Sequence, residues 1–423
     1  MREVEFSAGQ LIAVLLEGDA FPGAAILDSC GVGHVGSHLL IAGSEPSDVL
    51  QIKDKDVGET LATLDHIVSQ DRAAIFTISY DFGARLLGLE PDGESFEPDV
   101  YIATFDSLLL HDYDTGRTSQ IGAERELPAP KRKGEDARAK GLSSLSSNFS
   151  KTDYVAVIEE IQELIRDGFT YQTNLTHQLT AVLPESLTPE AIFHSLRQAH
   201  PAPFAAFIRR LGSIVVSASP ERFFRIHGDA ISTSPIKGTR RRGETRDQDS
   251  ALRQELLDSE KDRAENTMIV DLLRNDLGRV CEYGSVTVEK LCDLEVHPTL
   301  FHLVSTINGK LHADVRFSDV LRALFPCGSI TGAPKISTMK IIDRIERGSR
   351  GLSMGAIGYY IPKSMSEELA GFDLSVAIRT MVVRDKTAVF NVGGGIVIDS
   401  DPSSEWEETW TKASALLTAI NAR

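Results

Sequence analysis

Short apolar runs joined by tight turns limit the folds open to this chain more than any other feature. Two such runs, Ala73 to Ile78 and Val100 to Phe105, lie in the first part, and Thr380 to Val389 and Phe390 to Ile398 adjoin each other near the end. Tight turns join antiparallel neighbours, whereas parallel strands need long crossover connections. Because helical patterns also occur, the sequence predicts an α+β protein with antiparallel sheets and helices packed outside them.

The charge balance excludes several classes of partner. The 423 residues include 44 Lys+Arg and 61 Asp+Glu, which gives a net charge of −17. An acidic surface repels phosphate backbones and anionic lipids, so we expect neither nucleic-acid nor membrane binding. The apolar run Leu11 to Leu16 is too short for a secretory or membrane-spanning segment. We therefore expect a soluble, cytoplasmic protein.

Local changes in amino-acid composition along the chain predict two domains and a linker. Residues 1–126 look strand-rich and form an N-terminal subdomain, and residues 127–150 are charged and poor in large apolar side chains, as in a linker. Residues 151–423 form the second domain. It opens with a helix of about four turns, because apolar residues from Tyr154 to Ile165 recur at helical spacing and Gly168 follows as a stop.

Three glycines imitate a dinucleotide-binding motif. Gly31, Gly33 and Gly36 match G-x-G-x-x-G. A nucleotide site needs a helix that opens at the third glycine, and here only a short stretch precedes Gly43 and Pro46. We therefore predict a strand-turn-strand hairpin.

Lys237 is the first candidate catalytic residue. It lies between Pro235 and Gly238 in SPIKGTRRRGETR, residues 234–246, at a predicted turn or strand end. A lysine acts as a nucleophile when burial or nearby positive charge lowers its pKa, and the arginines at 240–242 could supply that charge. The alternative is a solvated basic turn without a catalytic role.

Two pairs of acids are candidate metal ligands. In a helix predicted over Ser250 to Asp276, Asp262 and Glu265 fall inside the apolar arc and need a compensating cation. Carboxylates one turn apart suit a hard divalent ion such as magnesium, and an unseen Arg or Lys is an equally good partner. Glu405 and Glu408 begin the final helix, where an ordinary surface pair of Glu408 with Lys412 competes with a metal role.

Eight ordered segments carry a resemblance to one enzyme family. They are SASPERF at 217–223, PIKGT at 235–239, DRAENTMIVDLLRND at 262–276, HLVST at 302–306, FPCGSITGAPK at 325–335, IGYY at 357–360, AIRT at 377–380 and GGGIV at 393–397. In these the chain resembles the chorismate-utilising enzymes from about residue 150 to its end. The first part resembles them more weakly, through ILDS at 26–29 and YDFGARL at 80–86.

Within that family the chain resembles the aminodeoxychorismate synthase component I group. Lys237 in PIKGT and the segment HPAPFAAF at 200–207 are similar to that group, whereas anthranilate synthases usually carry Ala at the lysine position. Gln172 stands where isochorismate and salicylate synthases carry a water-activating lysine. Cys327 replaces a usual Gly and Leu374 a commoner Thr, which affects local packing only.

The resemblance implies a fold and a set of site residues. The fold is a layered α/β/β/α sandwich with two large, mostly antiparallel sheets, similar to anthranilate synthase component I, and residues 151–423 are the chorismate-binding catalytic domain. Glu265 and Glu408 would hold Mg²⁺, with Asp262 and Glu405 close by. The implied substrate-binding residues are Arg379, Tyr359, Thr331, Gly238, Thr239, Gly393, Gly394 and Gly395.

The implied reaction exchanges the hydroxyl at carbon 4 of chorismate for an amino group. Glu221 would be the general acid/base, His302 would bind the departing hydroxyl, and Lys237 would form a covalent intermediate. The product is 4-amino-4-deoxychorismate, a precursor of para-aminobenzoate and folate.

Ammonia would come from a glutamine amidotransferase partner. None of the four cysteines lies in a G-x-C-x-G context, and little chain follows the final helix, so we expect a separate protein, with direct use of ammonia as a fallback. Two alternatives stay open: anthranilate synthase component I, which also releases pyruvate, and a non-catalytic regulator that binds chorismate.

Overall fold

The computed structural model describes residues 2–16, 23–33, 38–90, 95–125, 141–297 and 300–422. Its helices are α1 (Ala8–Leu16), α2 (Val57–Val68), α3 (Tyr80–Leu86), α4 (Lys151–Arg166), α5 (Pro189–Ala199), α6 (Arg246–Asp258), α7 (Glu260–Leu277), α8 (Phe317–Leu324), α9 (Lys335–Ile345) and α10 (Pro402–Ala419). One 3₁₀ turn spans Gly328–Ile330.

The strands up to residue 182 are β1 (Arg2–Val4), β2 (Ala25–Asp28), β3 (Leu39–Gly43), β4 (Asp48–Ile52), β5 (Ala73–Ile78), β6 (Val100–Phe105), β7 (Ser107–Asp112), β8 (Thr118–Gly122), β9 (Ser144–Ser147) and β10 (Gln172–Val182). Those after it are β11 (Phe204–Arg210), β12 (Ser213–Ser219), β13 (Arg222–His227), β14 (Ala230–Ser234), β15 (Ile236–Arg241), β16 (Thr287–Val296), β17 (Leu300–Lys310), β18 (Gly332–Ala333), β19 (Ala356–Ile361), β20 (Gly371–Val376), β21 (Thr380–Arg384) and β22 (Thr387–Ile396).

The strands of the described residues form two large sheets. The first has the order β1-β8-β7-β3-β2-β11-β12-β21-β22-β10-β18, with β9 also on β10, and the second has the order β15-β17-β14-β13-β20-β19-β5-β6-β4, with β16 also on β17. Neighbours run antiparallel, as in β10 with β22, β15 with β17 and β5 with β19. The predicted pair of mostly antiparallel sheets is confirmed.

Helices cover the outer faces of both sheets, so the order of layers is α/β/β/α. Apolar side chains of the two sheets, among them Ile75 and Ile208, meet between the sheets. Phe193 of α5 and Leu416 of α10 cover the outer face of the first sheet. Phe76 and Leu273 belong to the core between the second sheet and α7. Alternation along a strand explains why Ile75 and Phe76 enter different layers.

Strands from both sides of the predicted linker share the two sheets. β2 pairs with β11, and β5 pairs with β19. Ser144–Ser147, which the sequence placed in the linker, form β9 on the edge of β10, and this part of the prediction is wrong. Residues 127–140 lie outside the described residues. The division into two domains stays a prediction about folding units.

Most local predictions agree with the structure, with one correction. α4, β5 and β6 lie where the sequence predicts them, and residues 380–398, predicted as two adjoining apolar runs, form the hairpin of β21 and β22 with its turn at residues 385–386. The helix predicted over 250–276 is two helices, because Ser259 is extended and its side chain accepts a hydrogen bond from the backbone N–H of Asp262 as the cap of α7. β2 and β3 pair as the predicted hairpin, although Gly36 lies outside the described residues.

None of the described helices is both long enough and apolar enough to cross a bilayer.

Candidate active site

Lys237 lies on an irregular part of β15. The pairing of β15 with β17 shifts register between Ile236 and Thr239, and Gly238 between them has a φ of +86°. A left-handed backbone favours glycine because it has no Cβ. The half-buried Lys237 donates a hydrogen bond from Nζ to the backbone oxygen of Ser329, at 3.3 Å. The register shift therefore holds the amine against the 3₁₀ turn.

The arginines after Lys237 do not form a free positive cluster. Arg240 pairs with Glu255 at 2.8 Å and with Asp262 at 3.3 Å. Arg242 pairs with Asp249 at 2.7 Å. The sequence-based idea that these arginines activate the lysine is therefore not supported for these two side chains, because carboxylates balance their charge.

Glu221 is the buried acid beside this lysine. It follows β12, and only 5 % of its surface is exposed. Its Oε1 has no hydrogen-bond partner among the described residues. Burial raises the pKa of the Glu221 carboxyl, against the opposing effects of a hydrogen bond with Ser329 and the charge of Lys237. A raised pKa suits a group that must hold a proton at neutral pH and then donate it.

His302 adjoins the same strand. Its position on β17 lies opposite Thr239 in the register, and the Thr239 hydroxyl is 2.8 Å from Nδ1 of His302. The ring also meets that of His297 edge-on, with 5.3 Å between the centroids. β15 and β17 together bring Lys237, Thr239 and His302 to one region, as the sequence predicts.

The four predicted metal ligands come from the starts of α7 and α10. Asp262 pairs with Arg240, and a Cβ added to Gly238 would lie 3.0 Å from the Cβ of Asp262, so α7 packs directly on the lysine-bearing strand. Glu405 is 6 % exposed and accepts a hydrogen bond from the Ser400 hydroxyl at 2.7 Å. Glu408 pairs with Lys412 at 2.7 Å, the surface pair that the sequence left as an alternative.

Charge couples these acids to the lysine. Burial raises the pKa of Glu265, while the positive charges of Lys237 and Lys261 act against that rise. Burial alone would raise the pKa of Glu408 as well, but Lys412, Lys261 and Lys237 together hold it below its usual value. The charge of Lys237 therefore acts on Glu221, Glu265 and Glu408 at once, and the packing of Asp262 against Gly238 brings the start of α7 to the strand that carries this lysine.

The oxygen donors suit Mg²⁺ by type, but amines already engage them. Carboxylate oxygens are the ligands that a hard divalent ion prefers. Within the described ranges, no three Asp, Glu, His or Cys side chains form a ready metal-binding group. Lys261 faces Glu405 and Glu265, at 3.6 and 4.0 Å. Ligation of Mg²⁺ by Glu265 and Glu408 thus fits the chemistry of their oxygens. It requires that Lys261 move away from Glu265 and Lys412 from Glu408.

Arg379 is a half-buried cation. It lies between β20 and β21 with a φ of +48°, and in the part of the chain that the structure describes its guanidinium has no carboxylate partner. Burial lowers the pKa of Arg379, yet a guanidinium stays charged in proteins. A carboxylate of a ligand would supply the missing counter-charge in bidentate geometry.

The glycine run lies between β10 and α10. Gly393, Gly394 and Gly395 pair with Thr176, Leu175 and Asn174. A Cβ on Gly394 would lie 3.2 Å from Nζ of Lys412 and 3.4 Å from Oε2 of Glu405. The run therefore touches the acid cluster through its backbone, in a place where side chains would interfere.

Thr331 and Tyr359 have settings that the sequence did not anticipate. The Thr331 hydroxyl is fully buried and donates to the backbone oxygen of Cys327, at 3.1 Å. Tyr359 lines a cavity of about 50 Å³ together with Asp28, Phe204 and Asp373. It belongs to the layer between the sheets, and none of the contacts that join the Lys237 cluster involves it. Strand alternation, which a motif alone does not report, decides this direction.

Two contributors were missed by the sequence reasoning. Ser329 contacts both Lys237 and Glu221, and Lys261 faces two of the predicted metal ligands. Ser329 lies inside the motif FPCGSITGAPK, so the motif was recognised without a role for this residue. Lys261 directly precedes Asp262 and could have been noticed as the cation that the buried acids need.

The sequence of this chain matches a known protein family. The family model described as chorismate binding enzyme matches residues 27–418. An aminodeoxychorismate synthase from Streptomyces pristinaespiralis is 46 % identical over 63 % of this chain, and the match covers 36 % of that protein. An anthranilate synthase component 1 from Haloarcula marismortui is 40 % identical over 73 % of this chain and 60 % of its own length. The chain thus spans little more than a third of the first relative.

Other relatives match over more of their length. An aminodeoxychorismate synthase component 1 from Klebsiella aerogenes is 37 % identical over 81 % of this chain and 76 % of its own. The structure of anthranilate synthase component I from Streptococcus pneumoniae aligns with a TM-score of 0.75 and 25 % identity, over 91 % of this chain and 93 % of that one. The chain belongs to the family of chorismate binding enzymes.

Proposed function

We propose that this chain converts chorismate and ammonia to 4-amino-4-deoxychorismate. The observation that carries the proposal is Lys237, held on the irregular strand β15 next to the buried Glu221 and within reach of the acids of α7 and α10. The relatives named aminodeoxychorismate synthase support it. The activity, substrates and partners of those longer proteins are assigned to this chain only as part of this proposal.

Binding of the substrate follows from its two carboxylates. A net-acidic protein must gather local positive charge to hold a dianion. The Arg379 fork would bind the enolpyruvyl carboxylate and gain the counter-ion that no described residue supplies. Backbone amides near Gly393, Gly394 and Gly395 would add neutral donors, because glycine lets the chain approach an anion closely.

Magnesium would be held by Glu265 and Glu408, with Asp262 and Glu405 nearby. When bound, it would neutralise the ring carboxylate and act as a Lewis acid on the ring. Lys261 would have to leave its position between Glu405 and Glu265.

In the covalent route, Lys237 bonds to the ring, Glu221 transfers the proton and His302 hydrogen-bonds to the departing group. The neutral amine of Lys237 attacks ring carbon 2, the double bond shifts, and the bond from carbon 4 to its hydroxyl breaks. Glu221, whose pKa burial raises, donates the proton with which the hydroxyl leaves as water, and His302 hydrogen-bonds to it. Ammonia then bonds to carbon 4 and gives its surplus proton back to the Glu221 carboxylate. The double bonds shift back, and the bond from carbon 2 to Lys237 breaks with its electron pair returning to the amine. The ring carries the amino group and the lysine is free.

Ammonia would be supplied by a glutamine amidotransferase partner. This expectation rests on the resemblance, and direct use of dissolved ammonia is the fallback. Activity with glutamine that appears only after such a subunit is added would support the partner. If the isolated chain is as active with glutamine as it is after the subunit is added, the expectation of a partner is wrong.

Anthranilate synthesis is the second candidate, because the relative from Haloarcula marismortui carries that name at 40 % identity. The two reactions differ in their products. Mass spectrometry of a reaction with chorismate, Mg²⁺ and an ammonium salt, with and without 4-amino-4-deoxychorismate lyase, separates them. We expect an aminated dicarboxylate that becomes para-aminobenzoate only with the lyase. Fluorescent 2-aminobenzoate and pyruvate without any lyase would overturn the proposal, and binding without turnover would favour a regulator.

A further inference from the structure

Lys261 lies against the acid cluster of the proposed metal site, and its ion pairs within the described residues are with Glu405 and Glu265. It lies in the first turn of α7, and its Nζ is 3.6 Å from Oε1 of Glu405 and 4.0 Å from Oε1 of Glu265. Its charge also lowers the pKa of Glu408 below what burial alone would produce. One ammonium therefore faces carboxylates from two helices.

The other cations of the cluster make closer contacts with their partners than Lys261 does. Lys412 pairs with Glu408 and also donates a hydrogen bond to the backbone oxygen of Gly393, at 3.1 Å. Arg240 spans Glu255 and Asp262. The Lys261 side chain is 53 % exposed, whereas Glu405 and Glu265 expose only 7 % and 16 % of theirs. The lysine can turn into solvent while the acids stay in place.

We propose that Lys261 is an internal counter-ion that competes with the divalent metal for Glu265 and Glu405, and so sets the metal affinity of this enzyme. The inference rests on the proposed metal site. An ammonium and a divalent cation at the same buried carboxylates repel each other, so metal must displace the lysine or share weakened ligands. With the metal absent, the lysine limits the mutual repulsion of the acids.

Isothermal titration calorimetry of Mg²⁺ into the full chain tests this proposal. We compare the wild type with Lys261→Met, which keeps a chain of similar length without charge, and with Lys261→Arg, which keeps the charge. Lys310→Met is the matched control, because Lys310 is 52 % exposed and also faces two carboxylates, Glu282 and Asp229, away from this site. Urea unfolding in EDTA provides a readout that does not depend on activity.

We expect Lys261→Met to bind Mg²⁺ on the order of tenfold more tightly, since one positive charge a few ångströms from the ion is removed at a partly solvated site. Lys261→Arg and Lys310→Met should bind as the wild type does. Without metal, Lys261→Met should unfold at lower urea, and Mg²⁺ should restore it. Equal or weaker Mg²⁺ binding by Lys261→Met overturns this inference alone, whereas no binding by any variant, the wild type included, overturns the metal site with it.

Discussion

Replacement of Gly238 by alanine tests whether the irregular part of β15 holds the catalytic lysine. Gly238 has a φ of +86°, and a Cβ there would lie 3.0 Å from the Cβ of Asp262 and 3.0 Å from Cδ1 of Leu256. The left-handed backbone costs an alanine about 1–2 kcal/mol. Crowding in a packed region adds roughly 1–3 kcal/mol, because α6 or α7 must shift. The two terms together predict about 2–5 kcal/mol of lost stability.

Gly228→Ala is the matched control for this experiment. Gly228 also has a positive φ, of +62°, but a Cβ there meets nothing within 4 Å. It should lose only the backbone term, about 1–2 kcal/mol, and keep full activity. Urea unfolding compares the stabilities, and steady-state kinetics with chorismate and ammonium compares kcat/KM.

Because a displaced catalytic group loses up to about 100-fold in rate per ångström, we expect kcat/KM of Gly238→Ala to fall roughly 10- to 100-fold. The kinetics are measured without urea, at a temperature at which both variants are folded. If the two variants have the same kcat/KM, the backbone at Gly238 does not position Lys237 and the argument from β15 is wrong.

Three further variants probe the acid, the cation and the nucleophile. Glu221→Gln should lose about 10²- to 10⁴-fold in kcat. Because burial raises the pKa of Glu221 above its ordinary 4.5, the folded wild type loses stability relative to the unfolded chain as the pH rises above that value. Urea unfolding should therefore show the variant gaining on the wild type with rising pH, and a pH-independent difference would contradict this. Arg379→Met should raise KM for chorismate at least tenfold without lowering the free energy of unfolding, since no described ion pair is lost, and a loss of stability at unchanged KM would refute the assignment. Wild-type protein with chorismate and no ammonia should gain an adduct of chorismate minus water at Lys237 by peptide mass spectrometry, absent from Lys237→Gln; an adduct on another lysine would count against covalent catalysis.

The local elements followed closely from the sequence. The runs Ala73–Ile78 and Val100–Phe105 became β5 and β6 with the predicted bounds, and the apolar spacing around Tyr154 became α4. These patterns were readable because burial on a sheet face or a helix face repeats along the chain with a fixed period. The break at Ser259 was missed because one capping hydrogen bond does not disturb that periodicity.

The site was predictable to the extent that its residues lie in motifs. Lys237, Thr239 and His302 share one region because the register of β15 on β17 places them there, and Glu221 joins them from the end of β12. Tyr359 belongs to an equally recognisable motif and lines a cavity in the layer between the sheets, and its role in substrate binding stays a prediction. A motif identifies a stretch of backbone, but the face of the sheet to which each side chain points depends on its register.

The sequence by itself determined the class of the fold, several strands and helices, and which lysine and which paired acids were candidates for the chemistry, because these depend on residue type and short-range spacing; the role of Glu221 came from the family resemblance. Only the tertiary structure decided which charges meet. Asp262 and Glu408 each acquired a cation of their own, and Lys261 came to lie between Glu265 and Glu405, from helices far apart in the chain. Coulomb interactions fall with distance in space and take no account of separation along the chain, so their balance exists only once the layers have packed.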